Sequence, residues 1–354
     1  MLILKPEEVE GLLTMEEAVA AVESAFGEWG EEPAINATRR RLHTGDARLN
    51  TMPAAVPSRG LIGLRSQCEL IGVQGGQQIY PSRSPLVDVI FDTKTAGPLA
   101  LILSSTKRGA TRDGVRFTTS DFMTASISAV GTRWMSRPDS SVLALLGAGK
   151  QARLHLSAMK AIRELKSVRV FSPTPTRRQR FAEEMAASLA IDVIPVETAA
   201  AAVTQADIIL AATNSNVPVV PGTLLQEGVH VTSIVGSNVG MVAAGVIQRK
   251  RRELDDTTIE RANRIGITSR AQAIQDEQGD IFDQAESGLI SWDKVHDLRE
   301  IVGRGVPGRE SPAEITVFKN NGGQGLAELA IADLILSKAR ASGLGLEVNW
   351  GEAY

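Results

Sequence analysis

The run Val142-Leu143-Ala144-Leu145-Leu146-Gly147-Ala148-Gly149-Lys150-Gln151-Ala152 sets a GxGxxA pattern directly behind an apolar strand-like segment. This spacing suits a pyrophosphate. Gly147 permits a tight turn, Gly149 lets the backbone approach the phosphates, and Ala152 allows close helix-to-strand packing, while the following helix start offers unpaired N–H groups. About 20 residues further on, an acidic side chain would accept from a ribose 2′-OH. The chain instead reads Phe171-Ser172-Pro173-Thr174-Pro175-Thr176-Arg177-Arg178. Hydroxyls and guanidinium groups suit a 2′-phosphate, so NADP(H) is the preferred cofactor and NAD(H) the possible one. The alternative is that Arg177 and Arg178 are solvated at a helix start.

Other reactive residues are dispersed. His43, His155, His230 and His296 lack metal-ligand spacing, so no metal is expected, and His230 reads as a satisfied histidine in an apolar strand. Asp276-Glu277-Gln278-Gly279-Asp280 lacks the alternating ligands of a calcium loop and reads as a solvated turn. Cys68, the single cysteine, lies beside Leu70 and Ile71 and reads as a packed thiol; it excludes an internal disulfide framework. Arg108, Arg112 and Arg116 stand in a polar segment from Ser104 to Asp121, read as a solvated loop or, alternatively, an anion-binding lid.

The elements that must position these residues fall into two regions, as 354 residues suggest. Thr14 and Glu17 form a capping box for a helix through about Trp29, with Gly30 ending it. From Ala37 to Leu103, short β-type runs separated by Pro, Gly and Ser predict a mostly antiparallel sheet, and a helix follows over Met123 to Met135. From Ser141 strands and helices alternate, with six strands starting at Val142, Val168, Val193, Ile208, Val229 and Ile265, and a last helix spans Gly325 to Ala341. The fold class is α/β: a Rossmann doubly wound parallel sheet at 126–319, plus a smaller α+β substrate and dimerisation domain from 1–125 and 320–354. Hydrophobic content of 43% with 4% aromatics fits such a fold better than a β-sandwich. A balance of 38 Lys and Arg against 41 Asp and Glu leaves no basic field for a nucleic acid. No basic leader or long apolar span is present in the sequence, so the expected compartment is the cytoplasm and no membrane is involved.

The order of several motifs resembles the ornithine cyclodeaminase/mu-crystallin family over nearly the whole chain. The matching passages include Arg39-Arg40-Arg41-Leu42 with Thr51-Met52-Pro53-Ala54, Gly63-Leu64-Arg65, Gly147 to Ala152, Val235-Gly236-Ser237-Asn238, Arg252-Glu253-Leu254-Asp255 and Thr316-Val317-Phe318-Lys319-Asn320. The resemblance implies a central Rossmann domain and an N-terminal sheet domain, completed by the C-terminal helix and shared in a homodimer. It also places Thr213, Gly236 and Ser237 with Gly147, Ala148, Gly149, Lys150, Gln151, Ser172, Thr174 and Arg177 around the cofactor. For the substrate it implies Arg39 (Arg40 or Arg41 by register), Met52 and Arg65 as carboxylate-side contacts, with Met123 where members usually hold an arginine.

Two departures bear on the reaction. Arg65 stands at a lysine position; it still binds a carboxylate bidentately but does not deprotonate. Asn238 replaces the aspartate that moves protons in cyclodeaminases, and a carboxamide orients ligands without titrating. Arg65 and Asn238 are therefore the catalytic candidates of an NAD(P)H-dependent oxidoreductase, one that reduces an α-imino acid (a ketimine or cyclic imine) or acts as an amino-acid dehydrogenase. The alternatives are a cyclodeaminase with relocated acid/base groups, drawn from Asp121, Glu69 or His43, and a nucleotide-dependent small-ligand-binding protein with little catalysis.

Overall fold

In the computed structural model, the described residues are 1–30, 35–74, 77–104, 117–243, 245, 247–349 and 351. Positions 108, 112 and 116 of the expected loop or lid lie outside them. The chain begins with β1 (Leu2–Leu4), α1 (Pro6–Val9), α2 (Met15–Trp29), β2 (Arg40–Thr44), β3 (Ala47–Val56), β4 (Leu61–Gln74), β5 (Gln77–Arg83), β6 (Leu86–Asp92) and β7 (Pro98–Ser104). After α3 (Thr119–Met135) come β8 (Val142–Leu146), α4 (Lys150–Ile162), β9 (Ser167–Phe171), α5 (Pro175–Leu189), β10 (Val193–Pro195), α6 (Ala199–Val203), β11 (Ile208–Ala211) and β12 (His230–Ser233). The rest is α7 (Val239–Ala243), α8 (Asp256–Arg261), β13 (Arg264–Ile267), α9 (Arg270–Gln275), α10 (Phe282–Glu286), β14 (Val295–Asp297), α11 (Leu298–Gly303), β15 (Thr316–Lys319), α12 (Gly325–Ala341) and β16 (Leu346–Glu347).

Two compact units result, one from Met1–Thr124 with Gly323–Tyr354 and one from Ala125–Gly322. In the first, β16, β1, β7, β6, β4, β3 and β2 lie side by side, with β5 also pairing β4. Every pairing is antiparallel except that of β1 with β7. The Thr14–Glu17 capping box opens α2 as its sequence requires. Helix α12 packs on α2, β3 and β4. A Cβ at Gly63 would stand 2.3 Å from Val89 O and 3.1 Å from Leu329 Cδ1, so glycine is needed where β4, β6 and α12 meet.

Polarity is inverted at one end of β4. Period-two alternation turns Arg65, Gln67 and Glu69 inward, where all are buried, and turns Cys68 and Leu70 outward, where both are exposed. The reading of Cys68 as a packed thiol is thus overturned. Local hydrophobicity does not report the parity of a strand, and here the inward set is polar.

The second unit is a parallel sheet ordered β10-β9-β8-β11-β12-β15-β13-β14. Among the described residues it has eight strands rather than six. β14 and β15 are three and four residues long, too short for a periodic signal, and β15 enters between β12 and β13 although it comes last in sequence. Leu143, Leu145, Val168 and Val170 pack on one face with Phe181 and Met185. Ala144, Leu146, Val231 and Val317 pack on the other. Both faces are therefore covered, as an all-parallel sheet requires. Among the described residues no helix is long and apolar enough to cross a membrane.

Candidate active site

The cofactor end is built within the second unit. β8 delivers the chain to Gly147, whose φ of 118° is left-handed territory and whose Cβ, if present, would lie 2.3 Å from Ala212 O at the end of β11. Its N–H donates to Phe171 O at 2.8 Å, tying the turn to the end of β9. Gly149 begins α4 with no side-chain cap, and a Cβ there would meet nothing within 4 Å. Helix α4 thus starts at Lys150, Gln151 and Ala152 behind a glycine that brings no side-chain acceptor, with Ala148 in the turn and Ala152 buried, and helix starts of this kind suit an anion.

Beyond β9, Ser172 is buried, while Thr174 is exposed at the start of α5 and Arg177 is exposed in its first turn. Arg178 Nη1 donates to Ser172 O at 3.1 Å, so this arginine fastens the loop rather than standing solvated. No carboxylate occupies the end of β9.

Past β11 and β12 a buried network shapes the backbone. Glu253 Oε1 accepts from Thr213 N and Oγ1 at 2.6 and 2.8 Å, and its Oε2 accepts from Ile234 N and Val235 N, each at 2.9 Å. Lys319 Nζ donates to Asp280 Oδ2 at 2.5 Å, Ser233 Oγ at 2.8 Å and Val235 O at 2.8 Å. Asp280 also accepts from Glu253 N and Leu254 N. Burial pushes the Glu253 carboxyl upward, against the opposing charge of Lys319. Asp280 and Gln278 are buried, so 276–280 is no solvated turn; its partners are distant in sequence and invisible from local composition.

The network delivers Gly236, Ser237 and Asn238. A Cβ at Gly236 would meet nothing within 4 Å, whereas Ser237 Oγ is spent on Asp276 O at 2.7 Å. Asn238 adopts φ 54°, and with its carboxamide oxygen turned to Arg251 it accepts from Nε and Nη1 at 3.2 and 3.0 Å. His230 is indeed a satisfied core residue, held between Thr316 Oγ1 and Thr232 Oγ1 at 2.9 Å each, and burial drives its pKa well below the usual value.

The first unit gathers the substrate candidates around one sulfur. Met52 and Arg65 are register partners on β3 and β4, and Arg65 Nη1 lies 3.8 Å from Met52 Sδ. A Cβ on Gly323 would stand 2.1 Å from Arg39 Nη1 and 3.4 Å from that same sulfur, so Arg39 is brought to the same place. Arg40 and Arg41 are exposed on β2. The loop carrying Gly323 is tied down by Asn36, which donates to Gln324 Oε1 at 2.7 Å and accepts from Leu326 N at 2.9 Å. Met123 is buried on α3.

Two acids missed by sequence reasoning border this pair of arginines. Glu328 on α12, 1% exposed, makes an ion pair with Arg65 Nη1 at 3.5 Å, and Asp88 on β6, 3% exposed, is the register partner of Arg65. Burial, then the charge of Glu328, raises Asp88 well above the usual carboxyl range. Of the other acid candidates, Glu69 is neutralised by Arg48 at 2.6 Å and Arg83 at 2.9 Å, Asp121 accepts from Thr118 N and Oγ1 at 2.7 and 2.9 Å, and His43 is exposed.

A doubly wound parallel sheet with a glycine turn feeding an uncapped helix defines a class, the dinucleotide-dependent α/β oxidoreductases. Within it, the chain belongs to the ornithine cyclodeaminase/mu-crystallin family, whose sequence profile matches residues 1–343. It is 27% identical over 342 residues to a Delta(1)-pyrroline-2-carboxylate reductase of Bacillus cereus, covering 96% of this chain and 95% of that protein. The structure of Thermococcus litoralis Delta(1)-pyrroline-2-carboxylate reductase in complex with NADH and L-proline is similar at 28% identity and a TM-score of 0.80, over 98% of this chain and 100% of that one. The iminosuccinate reductase of Paracoccus denitrificans in complex with NAD+ is similar at 25% identity and a TM-score of 0.82, over 99% of both chains.

Proposed function

We propose that the protein is a nicotinamide-dependent reductase that converts an α-imino acid to the corresponding amino acid, or runs that reaction in reverse. The convergence of Arg39 and Arg65 on Met52 carries this reading. Two guanidinium groups beside a thioether suit a small carboxylate with an apolar body, such as a cyclic imine. Gly147, Ala148, Gly149, Lys150 and Gln151 hold the pyrophosphate, while Thr213, Gly236 and Ser237 line the path toward the nicotinamide. When bound, the nicotinamide supplies a hydride to the imine carbon. Arg65 and Arg39 fix the substrate carboxylate, Met123 and Met52 give apolar contact, and Asn238 orients the ligand without titrating.

The absence of an acid at the end of β9 supports NADP(H) over NAD(H), with Arg177, Thr174 and Ser172 meeting the 2′-phosphate. Assembly as a homodimer is supported by an exposed apolar row across the first unit's sheet, where Leu42 pairs with Leu49 and Leu49 with Cys68. Such a row on an outer face is the feature a second subunit covers. A monomer by light scattering at micromolar concentration overturns the dimer.

The function is tested by following NADPH and NADH oxidation with Δ1-pyrroline-2-carboxylate, its six-membered homologue and iminosuccinate. Turnover of at least one imine, faster with NADPH and without ammonia release from ornithine, is the expected result. Tight cofactor binding with no turnover of any imine favours a binding protein instead, and efficient ammonia release from ornithine favours a cyclodeaminase.

A further inference from the structure

Arg65 is surrounded by more acid than it neutralises. Glu328 approaches its Nη1 at 3.5 Å and Asp88 stands opposite it in register, both almost wholly buried. Among the described residues, the other charged groups facing the cluster are Arg39, which lies against Met52, and Asp121, which is anchored to Thr118 at the start of α3. Two guanidinium groups facing three ionised carboxylates inside a protein leave one net negative charge, which costs several kcal/mol when buried. That cost favours the protonated form of one of the acids. Burial and Glu328 raise Asp88, and burial and Asp121 raise Glu328, while Arg65 and Ser120 hold Glu328 down. Of the two acids paired with Arg65, Asp88 is thus the one held further toward its protonated form.

We propose that Asp88 and Glu328 make carboxylate binding at Arg65 proton-linked, so that docking of the substrate anion draws one proton from solvent onto this acid pair. The inference rests on the reading of Arg65 as the carboxylate clamp. Arg65 Nε has no hydrogen-bond partner, which leaves a donor for an incoming oxygen. A docked anion restores the charge imbalance, and protonation of Glu328 removes it again. The proton comes from water, no bond other than O–H forms, and release of the anion returns the proton. Affinity for the carboxylate then tightens up to about tenfold per unit fall in pH, the limit for one linked proton.

Calorimetric titration of the full chain, saturated with NADP+, tests this with L-proline and with cyclopentanecarboxylate, which has no nitrogen whose charge could stand in for the proton. At pH 7, in two buffers of different ionisation heat, the expected result is net proton uptake, up to about one proton per carboxylate bound. Glu328→Gln should abolish it, whereas Asp88→Asn, which keeps the neutral form at that position, should leave it in place, and the pH dependence of inhibition by cyclopentanecarboxylate in the unaltered protein reads the same linkage without any variant. Buffer-independent heats with flat inhibition between pH 6 and 8, or uptake unchanged in Glu328→Gln, overturn the linkage alone. Failure of both acids to bind, or binding that survives Arg65→Leu, overturns the clamp reading and the linkage with it.

Discussion

Arg65 of β4 and Asp88 of β6 are direct register partners on the inner face of the first unit's sheet, one a buried cation and the other a buried acid. Because Asp88 is raised in the folded chain, folding stability depends on pH in a defined direction. Below the unfolded value of about 3.9 both states hold the proton. Above it the unfolded chain releases the proton and the folded chain keeps it, so stability falls by about 1.4 kcal/mol per pH unit until the folded value is passed. Asp88→Asn removes this loss. The variant should therefore gain on the unaltered protein as pH rises from 4 to 8, measured by urea unfolding; an equal difference at both pH values refutes it.

Gly323 has a φ of 52° and lies against Arg39. Gly323→Ala strains the backbone and pushes a methyl into Nη1, displacing the guanidinium. The KM for the imine should rise by about 10- to 150-fold, the worth of one charge-assisted contact, while the KM for NADPH stays unchanged. Arg65→Ala should cost about 2–4 kcal/mol in kcat/KM, and Asn238→Ala less, because the first removes binding and positioning together. Equal losses in both kinetic variants argue against the clamp.

The two arginines after β9 have different partners. Arg178 holds Ser172 O, whereas Arg177 is exposed. Arg177→Ala should weaken NADPH by about 10- to 150-fold and leave NADH unaltered. Arg178→Ala loosens the loop itself and should weaken both. Fluorescence titration with each cofactor separates these outcomes, and tighter NADH than NADPH in the unaltered protein refutes the reading of this loop.

What the sequence makes legible follows from range. The Thr14–Glu17 capping box and the span Gly325–Ala341 depend on neighbours within a turn or two, and both form as read. The glycine turn is legible from the GxGxxA spacing, although one reason for Gly147, its close approach to Ala212 O of β11, is not local. Register is not local. Nothing near Cys68 says that Arg65, Gln67 and Glu69 face inward, and nothing near Asp280 says that Lys319 comes to meet it. Glu253 and Lys319 do fall inside passages that carry the family resemblance, which was the available signal for them. Asp88 and Glu328 gave none, because their significance arises only when β4, β6 and α12 are packed together.

Lys319 offers the last test, because its ammonium is wholly buried among Asp280, Ser233 and Val235 O. Lys319→Met keeps an unbranched chain but leaves Asp280 and Glu253 with no buried cation between them. Breaking a buried pair from one side costs about 3–5 kcal/mol, so a clear fall in the unfolding midpoint is expected. Asp280→Asn added to Lys319→Met should recover part of that loss, since one of the two stranded acids is then gone. The network also holds Val235 and Thr213, whose segments lead to Asn238 and line the proposed cofactor path. NADPH affinity measured well below the melting temperature should therefore weaken in Lys319→Met and recover in part in the double variant. Affinity equal to that of the unaltered protein would mean that the network supports stability alone and leaves the cofactor segments in place.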